Sequence, residues 1–250
     1  MTSKVDRLRV AFGEAVDPED FIRVHSGLPG PRGNLELAAA VAEEGDERLF
    51  RRLLRWGPDR APENTPDGFL AVCGVVGLGA LLARGRTELT SELREFASDP
   101  RWRVREGVAI ALQRWGRADM ASLLGEMRRW SAGSRFEQRA SVAALCEPDL
   151  LRDPRHVHQV LVLLDRMTRS LVAAGDRRDE GFRVLRKALG YGWSVAVAAL
   201  PEAGMARLDR WMASDDPDVQ WIMRENLKKK RLAAVAGGRI GRWRETLTPG

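Results

Sequence analysis

Asp99-Pro100-Arg101-Trp102-Arg103-Val104-Arg105, running on to Ala109, Ala111 and Leu112, is the stretch on which the fold turns. Asp99 reads as a helix N-cap and Pro100 as a first-turn residue, where its missing N–H matters least. Trp102, Arg105 and Val108 then follow at three-residue steps, and the pattern returns twice. Ser134-Arg135-Phe136 opens a segment with Phe136, Arg139 and Val142 in the same positions. Ser214-Asp215-Asp216-Pro217 leads to Trp221, Arg224 and Leu227. One amphipathic helix pair cannot bury its apolar face alone, so units of this kind stack against their neighbours.

The rest of the chain agrees with helices. There is one tyrosine, and no Asn-Gly or Asp-Gly lies between alternating apolar residues, so strand signals are nearly absent. Apolar residues recur at steps of three and four, as in Leu161, Leu164, Met167 and Leu171. Stop signals such as Gly57-Pro58, Glu147-Pro148, Asp153-Pro154 and Pro201 come every 12 to 20 residues. These predict about a dozen short antiparallel helices, with Ser26–Asn34 the least regular stretch. Phe69–Ala83 is the longest apolar run. It falls short of the ~20 residues a membrane span needs and reads as a buried helix. Within it, Gly74, Gly77 and Gly79 have the wrong order for a phosphate loop and suit close helix packing instead.

The repeat resembles the HEAT-like helical repeats, whose second helices often open with Asp-Pro, an apolar residue and arginine. The resemblance covers residues 88–231, and residues 34–86 only by helix-pair rhythm. It implies an all-α fold, a right-handed α-α superhelix of the HEAT-like solenoid type. The expected organisation is a single domain over 1–250, with an irregular N-terminal segment 1–33 and a basic C-terminal tail 228–250. Some HEAT-like solenoids are alkylpurine DNA glycosylases of the DNA alkylation repair family. Trp102, Arg105, Gly107 and Ala109 approximate one of that family's helices, and Phe136, Arg139 and Ala140 another. At Ala143 the family has a cleft tryptophan. In Pro66-Asp67-Gly68-Phe69-Leu70 the family's tryptophan is Pro66 and its catalytic aspartate is Leu70, which leaves Asp67 as the only matching acid. A cleft carboxylate stabilises the positive charge that develops as a glycosidic bond breaks, and neither Leu70 nor Ala143 supplies what that chemistry needs.

Charge narrows the function. Hydrophobic residues are 44% and charged residues 30%, an ordinary globular balance. The net charge of +6 is uneven: residues 1–100 carry 13 basic and 17 acidic groups, residues 101–250 carry 28 and 18. An anionic partner for the second part follows. Arginine outnumbers lysine 36 to 5, which suits bidentate phosphate binding, although a genomic codon bias gives the same surplus. Nine arginines crowd into residues 101–139 among Trp102, Trp115 and Trp130. Arg105, Arg139 and Arg224 recur with the repeat and read as structural. Arg128 and Arg129 have no such duty and are contact candidates. Lys228-Lys229-Lys230-Arg231 at a helix end is either a soluble cap or a phosphate-holding surface.

Other chemistry is thin. His156 and His158 are two apart, so on a helix they cannot share a metal. Cys73 and Cys146 sit in apolar runs and read as buried reduced thiols. The N-terminus lacks the apolar core of a secretion signal. The expectation is therefore a cytoplasmic, monomeric, non-catalytic binding or scaffold protein with no cofactor, no metal and no membrane association. Its expected partner is nucleic-acid backbone or an acidic protein, contacted through Arg128, Arg129, Lys228, Lys229, Lys230 and Arg231. The alternative is a DNA alkylation-repair glycosylase.

Overall fold

The computed structural model describes residues 3–247. They are all-α: fifteen α-helices and three short 3-10 turns, with no strand among the described residues. The helices group into two compact units, one reaching to Asp119 and one starting at Met120.

The first unit contains α1 (Lys4–Gly13), α2 (Pro18–His25), α3 (Leu35–Glu44), α4 (Glu47–Leu53), α5 (Pro66–Ala83), α6 (Thr90–Glu95) and α7 (Trp102–Ala118). α1, α3, α5 and α7 pack side by side, and α2 and α4 lie against α5. Residues 1–33, expected to be irregular, thus carry α1 and α2 across the described part; the irregular stretch is the 26–34 loop. α5 is buried from Gly68 to Leu82. By length and composition it is the one described helix able to cross a membrane, yet 83% of it is buried within the protein. Its glycines let neighbours come close. A Cβ on Gly79 would stand 2.4 Å from the Ala111 backbone of α7, and one on Gly77 would stand 2.3 Å from the Phe50 ring of α4.

The second unit contains α8 (Met120–Trp130), α9 (Arg135–Leu145), α10 (Pro154–Val172), α11 (Glu180–Ala199), α12 (Pro201–Met212), α13 (Pro217–Leu227), α14 (Lys230–Ala236) and α15 (Arg239–Leu247). α9, α11 and α13 form one row, and α8, α10 and α12 a second, with α10 also packing on α11. The described part of the basic tail 228–250 is therefore mostly helical, as α14 and α15; residues 248–250 lie outside the described residues.

Most helix starts follow local rules. Ser134 and Glu137 form a reciprocal capping box on α9, and Asp153 and Asp216 cap α10 and α13 ahead of their prolines. The start of α7 differs. Arg101, not Asp99, occupies the cap position, and no side chain caps the helix. The Asp99 carboxylate instead accepts from the Arg101 backbone N–H (2.8 Å), its Nε (2.9 Å) and its Nη2 (2.8 Å). An adjacent guanidinium offers charge-assisted bonds and outcompetes the helix N–H groups.

Candidate functional site

The dense arginine run separates by burial. Arg101 is 4% exposed, and its Nη1 donates to the carbonyls of Trp56 (2.8 Å) and Ala61 (3.1 Å). Arg105 is buried, with Nη1 donating to the carbonyls of Asp99 (2.6 Å) and Pro100 (3.1 Å). Trp115 and Trp130 are core residues, whereas Trp102 is 46% exposed.

Arg128 and Arg129, at the end of α8, are exposed. Arg128 Nη2 donates to Gln159 Oε1 of α10 at 2.5 Å, and Arg129 pairs with Glu126. Lys228 pairs with Glu225 at 2.5 Å, Lys229 caps α14, and Lys230 and Arg231 are exposed with no ion pair among the described residues. Arg128–Arg129 and Lys228–Arg231 belong to different elements, and no hydrogen bond or shared ion partner joins them among the described residues.

Beside Arg128 the structure assembles a group that no sequence motif marks. Asp165 of α10 is 2% exposed, too buried for a lone carboxylate unless it is paired. It accepts from Arg210 Nη2 (2.8 Å), from Trp211 Nε1 (2.8 Å) and from Arg207 Nη1, all on α12, and Arg169 Nη2 stands 3.9 Å away. The Arg169 and Arg210 side chains remain 65% and 55% exposed. Arg166, three residues before Arg169, donates to the Arg128 carbonyl at 3.3 Å and links this cluster to α8. Six guanidinium groups thus stand on α8, α10 and α12: Arg169, Arg207 and Arg210 share Asp165, Arg129 takes Glu126, Arg128 bonds Gln159, and Arg166 bonds the Arg128 carbonyl and Ser131. The available signal was the pairing of Arg166 with Arg169 and of Arg207 with Arg210, each at i,i+3 opposite an apolar stripe.

A cleft of about 770 Å³ opens in the first unit. α7 contributes Trp102, Glu106, Gly107 and Ile110, and α5 contributes Phe69 and Val72. The 26–34 loop, the first residues of α3 and Lys4 of α1 close the other side. Arg103 holds this wall together: Nη1 donates to Glu63 (2.8 Å), Nη2 donates to the Gly30 carbonyl (3.0 Å), and the guanidinium lies 4.3 Å from the centre of the Trp102 ring. Asp67 lines no part of the cleft; Arg23 Nε holds it at 2.7 Å. Leu70 is fully buried and Ala143 is 8% exposed. Burial pushes the Cys73 thiol far up and the Cys146 thiol to about 12, so both are thiols rather than nucleophilic thiolates at neutral pH. No family model, curated protein or solved structure matches the chain.

Proposed function

We propose that the chain is a non-catalytic helical-repeat protein that binds nucleic-acid backbone through the arginine face of α8, α10 and α12. The side-by-side row α1, α3, α5, α7 of the first unit and the two rows of the second support a HEAT-like stack, which we read as a right-handed superhelix. The observation that carries the functional reading is the cluster around Asp165. One buried carboxylate orders three guanidiniums and leaves a net positive surface, with Arg166 and Arg128 extending it. Guanidinium forks match phosphate oxygens bidentately, as they match carboxylates, so the test below sets phosphodiesters against an acidic polypeptide. The tryptophans of these helices, Trp130 and Trp211, are buried. Binding therefore reads backbone charge and not base identity. A cytoplasmic, monomeric state belongs to the same reading. The test is a gel-shift series with two unrelated duplexes. The chain should retain both equally at ~50 mM salt and release them steeply as salt rises. Retention of an acidic polypeptide but of neither duplex would move the partner to protein.

A second reading, glycosylase activity of the alkylation-repair type, has one observation in its favour. Glu106 is an acid in a cleft with Trp102 and Phe69, the surroundings that suit a developing positive charge. Buried Leu70 and Ala143 weigh against it. Release of methylated base from alkylated DNA, lost in Glu106→Gln, would establish this activity; no release leaves the non-catalytic reading standing.

A further inference from the structure

The cleft of the first unit has a chemistry that the arginine face lacks. Trp102, Glu106 and Ile110 follow at four-residue steps along α7 and so share one face of the helix. Trp102 is the one exposed side chain among the phenylalanines, tyrosine and tryptophans of the described residues. Its indole cannot swing freely, because the Arg103 guanidinium stacks on it and is itself fixed by Glu63 and Gly30. One turn along, the half-buried Glu106 carboxylate makes no hydrogen bond or ion pair among the described residues. Among the other lining residues Arg32 is exposed and equally unpaired among the described residues, and Lys4 stands 3.4 Å from Glu36. Flat ring, acceptor-only group and cation therefore line one cavity, whose volume falls in the range of small-molecule sites, roughly 300–1,000 Å³.

We propose that this cleft binds a purine nucleotide non-covalently, with guanine preferred. The base stacks on the Trp102 ring, the carboxylate of Glu106 accepts from the base edge, and Arg32 meets the phosphate. Stacking on an indole tolerates any base, so the edge decides. A carboxylate has two acceptor oxygens and no donor. Guanine presents two adjacent N–H donors, N1–H and the 2-amino group, whereas adenine and uracil present only one donor beside an acceptor. A guanidinium is the natural partner for the phosphate. The site lies wholly within the first unit and stands or falls apart from the arginine face of the second.

Isothermal titration with GMP, guanosine, IMP and UMP tests it. GMP should saturate at micromolar to low-millimolar concentration; guanosine, without phosphate, and IMP, without the 2-amino group, should each bind about tenfold more weakly. UMP should bind weakest. Trp102→Ala should abolish binding, and Glu106→Gln should remove the preference for GMP over IMP. Arg32→Ala, in an exposed loop where folding is not at stake, should make GMP and guanosine equal. Substituting Arg128, Arg166, Arg169 and Arg210 should leave GMP binding unchanged. No GMP heat at about 5 mM, equal affinity for UMP, or GMP affinity unchanged in a folded Trp102→Ala protein would overturn the proposal.

Discussion

In the first unit Arg101, Arg103 and Arg105 are buried and direct their N–H groups to backbone carbonyls and nearby acids. In the second, Arg128, Arg166, Arg169 and Arg210 are exposed, and a single buried Asp165 holds two of them by charge. The same residue type is an internal strut in one place and an exposed cationic surface in the other. The difference lies in the number of acceptors supplied. Arg101 finds Asp99 and two carbonyls, which satisfy its guanidinium in place of water. The arginines of α8, α10 and α12 outnumber their carboxylates and keep donors free for an outside anion.

The largest effect that would break this contrast is on stability. Arg101→Ala strands the nearly buried Asp99 carboxylate and two carbonyls, and should cost about 3–5 kcal/mol in urea unfolding. A loss under 1 kcal/mol would show that Arg101 is no strut. Asp165→Asn keeps the shape but removes the charge that holds Arg207 and Arg210, so a smaller loss of about 1–3 kcal/mol is expected. Nucleic-acid affinity should not collapse in this variant, since the cations remain. Collapse would mean that the ordering by Asp165, and not the charge of the face, controls binding.

Acid sharpens the comparison further. Burial raises the Asp216 carboxyl, but bonds from Arg177 and from the N–H groups of Asp218 and Val219 outweigh it and hold the carboxyl below its ordinary value. Arg155 holds Asp153 down at about 2. Both cap helices of the second unit. A depressed native carboxyl adds stability that is fully present above its unfolded value, about 3.9, and is lost as pH falls through the native one. Urea midpoints should therefore fall between about pH 4 and pH 2, and more shallowly in Asp216→Asn. An unchanged slope in that variant would remove Asp216 from the linkage.

How far the sequence foretold this depended on distance along the chain. The helix starts at Ser134, Asp153 and Asp216 were legible because cap and helix lie within three residues. Asp99 was misread because its competing partner, Arg101, sits two residues on, and a capping rule does not weigh a neighbouring guanidinium. Arg128 and Arg129 could be picked out because they stand outside the repeat's recurring arginine positions. Their company could not: Arg207 and Arg210 meet Asp165 from 42 and 45 residues away, through the packing of α12 on α10. Glu106 hid for the opposite reason, as one acid in a run of arginines whose other bonds left its carboxylate without a partner among the described residues.

Among the binding variants, replacing Lys228, Lys229, Lys230 and Arg231 with Ala should have the smaller effect, because Lys228 already serves Glu225 and this run stands apart from the Asp165 cluster. The log–log salt slope should become shallower by at most about 3 units. No change at all would assign that run to the solubility of the chain's end.

The most direct measurement is the salt dependence of duplex binding for the wild type and for the combined Arg128→Gln, Arg166→Gln, Arg169→Gln, Arg210→Gln protein. Arg210→Gln takes one partner from the buried Asp165, so a loss of about 1–3 kcal/mol is expected, but Arg207 and the Trp211 indole still hold that carboxylate and the protein should remain folded. If these four arginines touch phosphates, the wild-type slope should be roughly −4 or steeper, and the variant should lose up to about 3.6 units of it, equally on unrelated sequences. A wild-type slope near zero, or a variant slope equal to the wild type's, would contradict binding through this face.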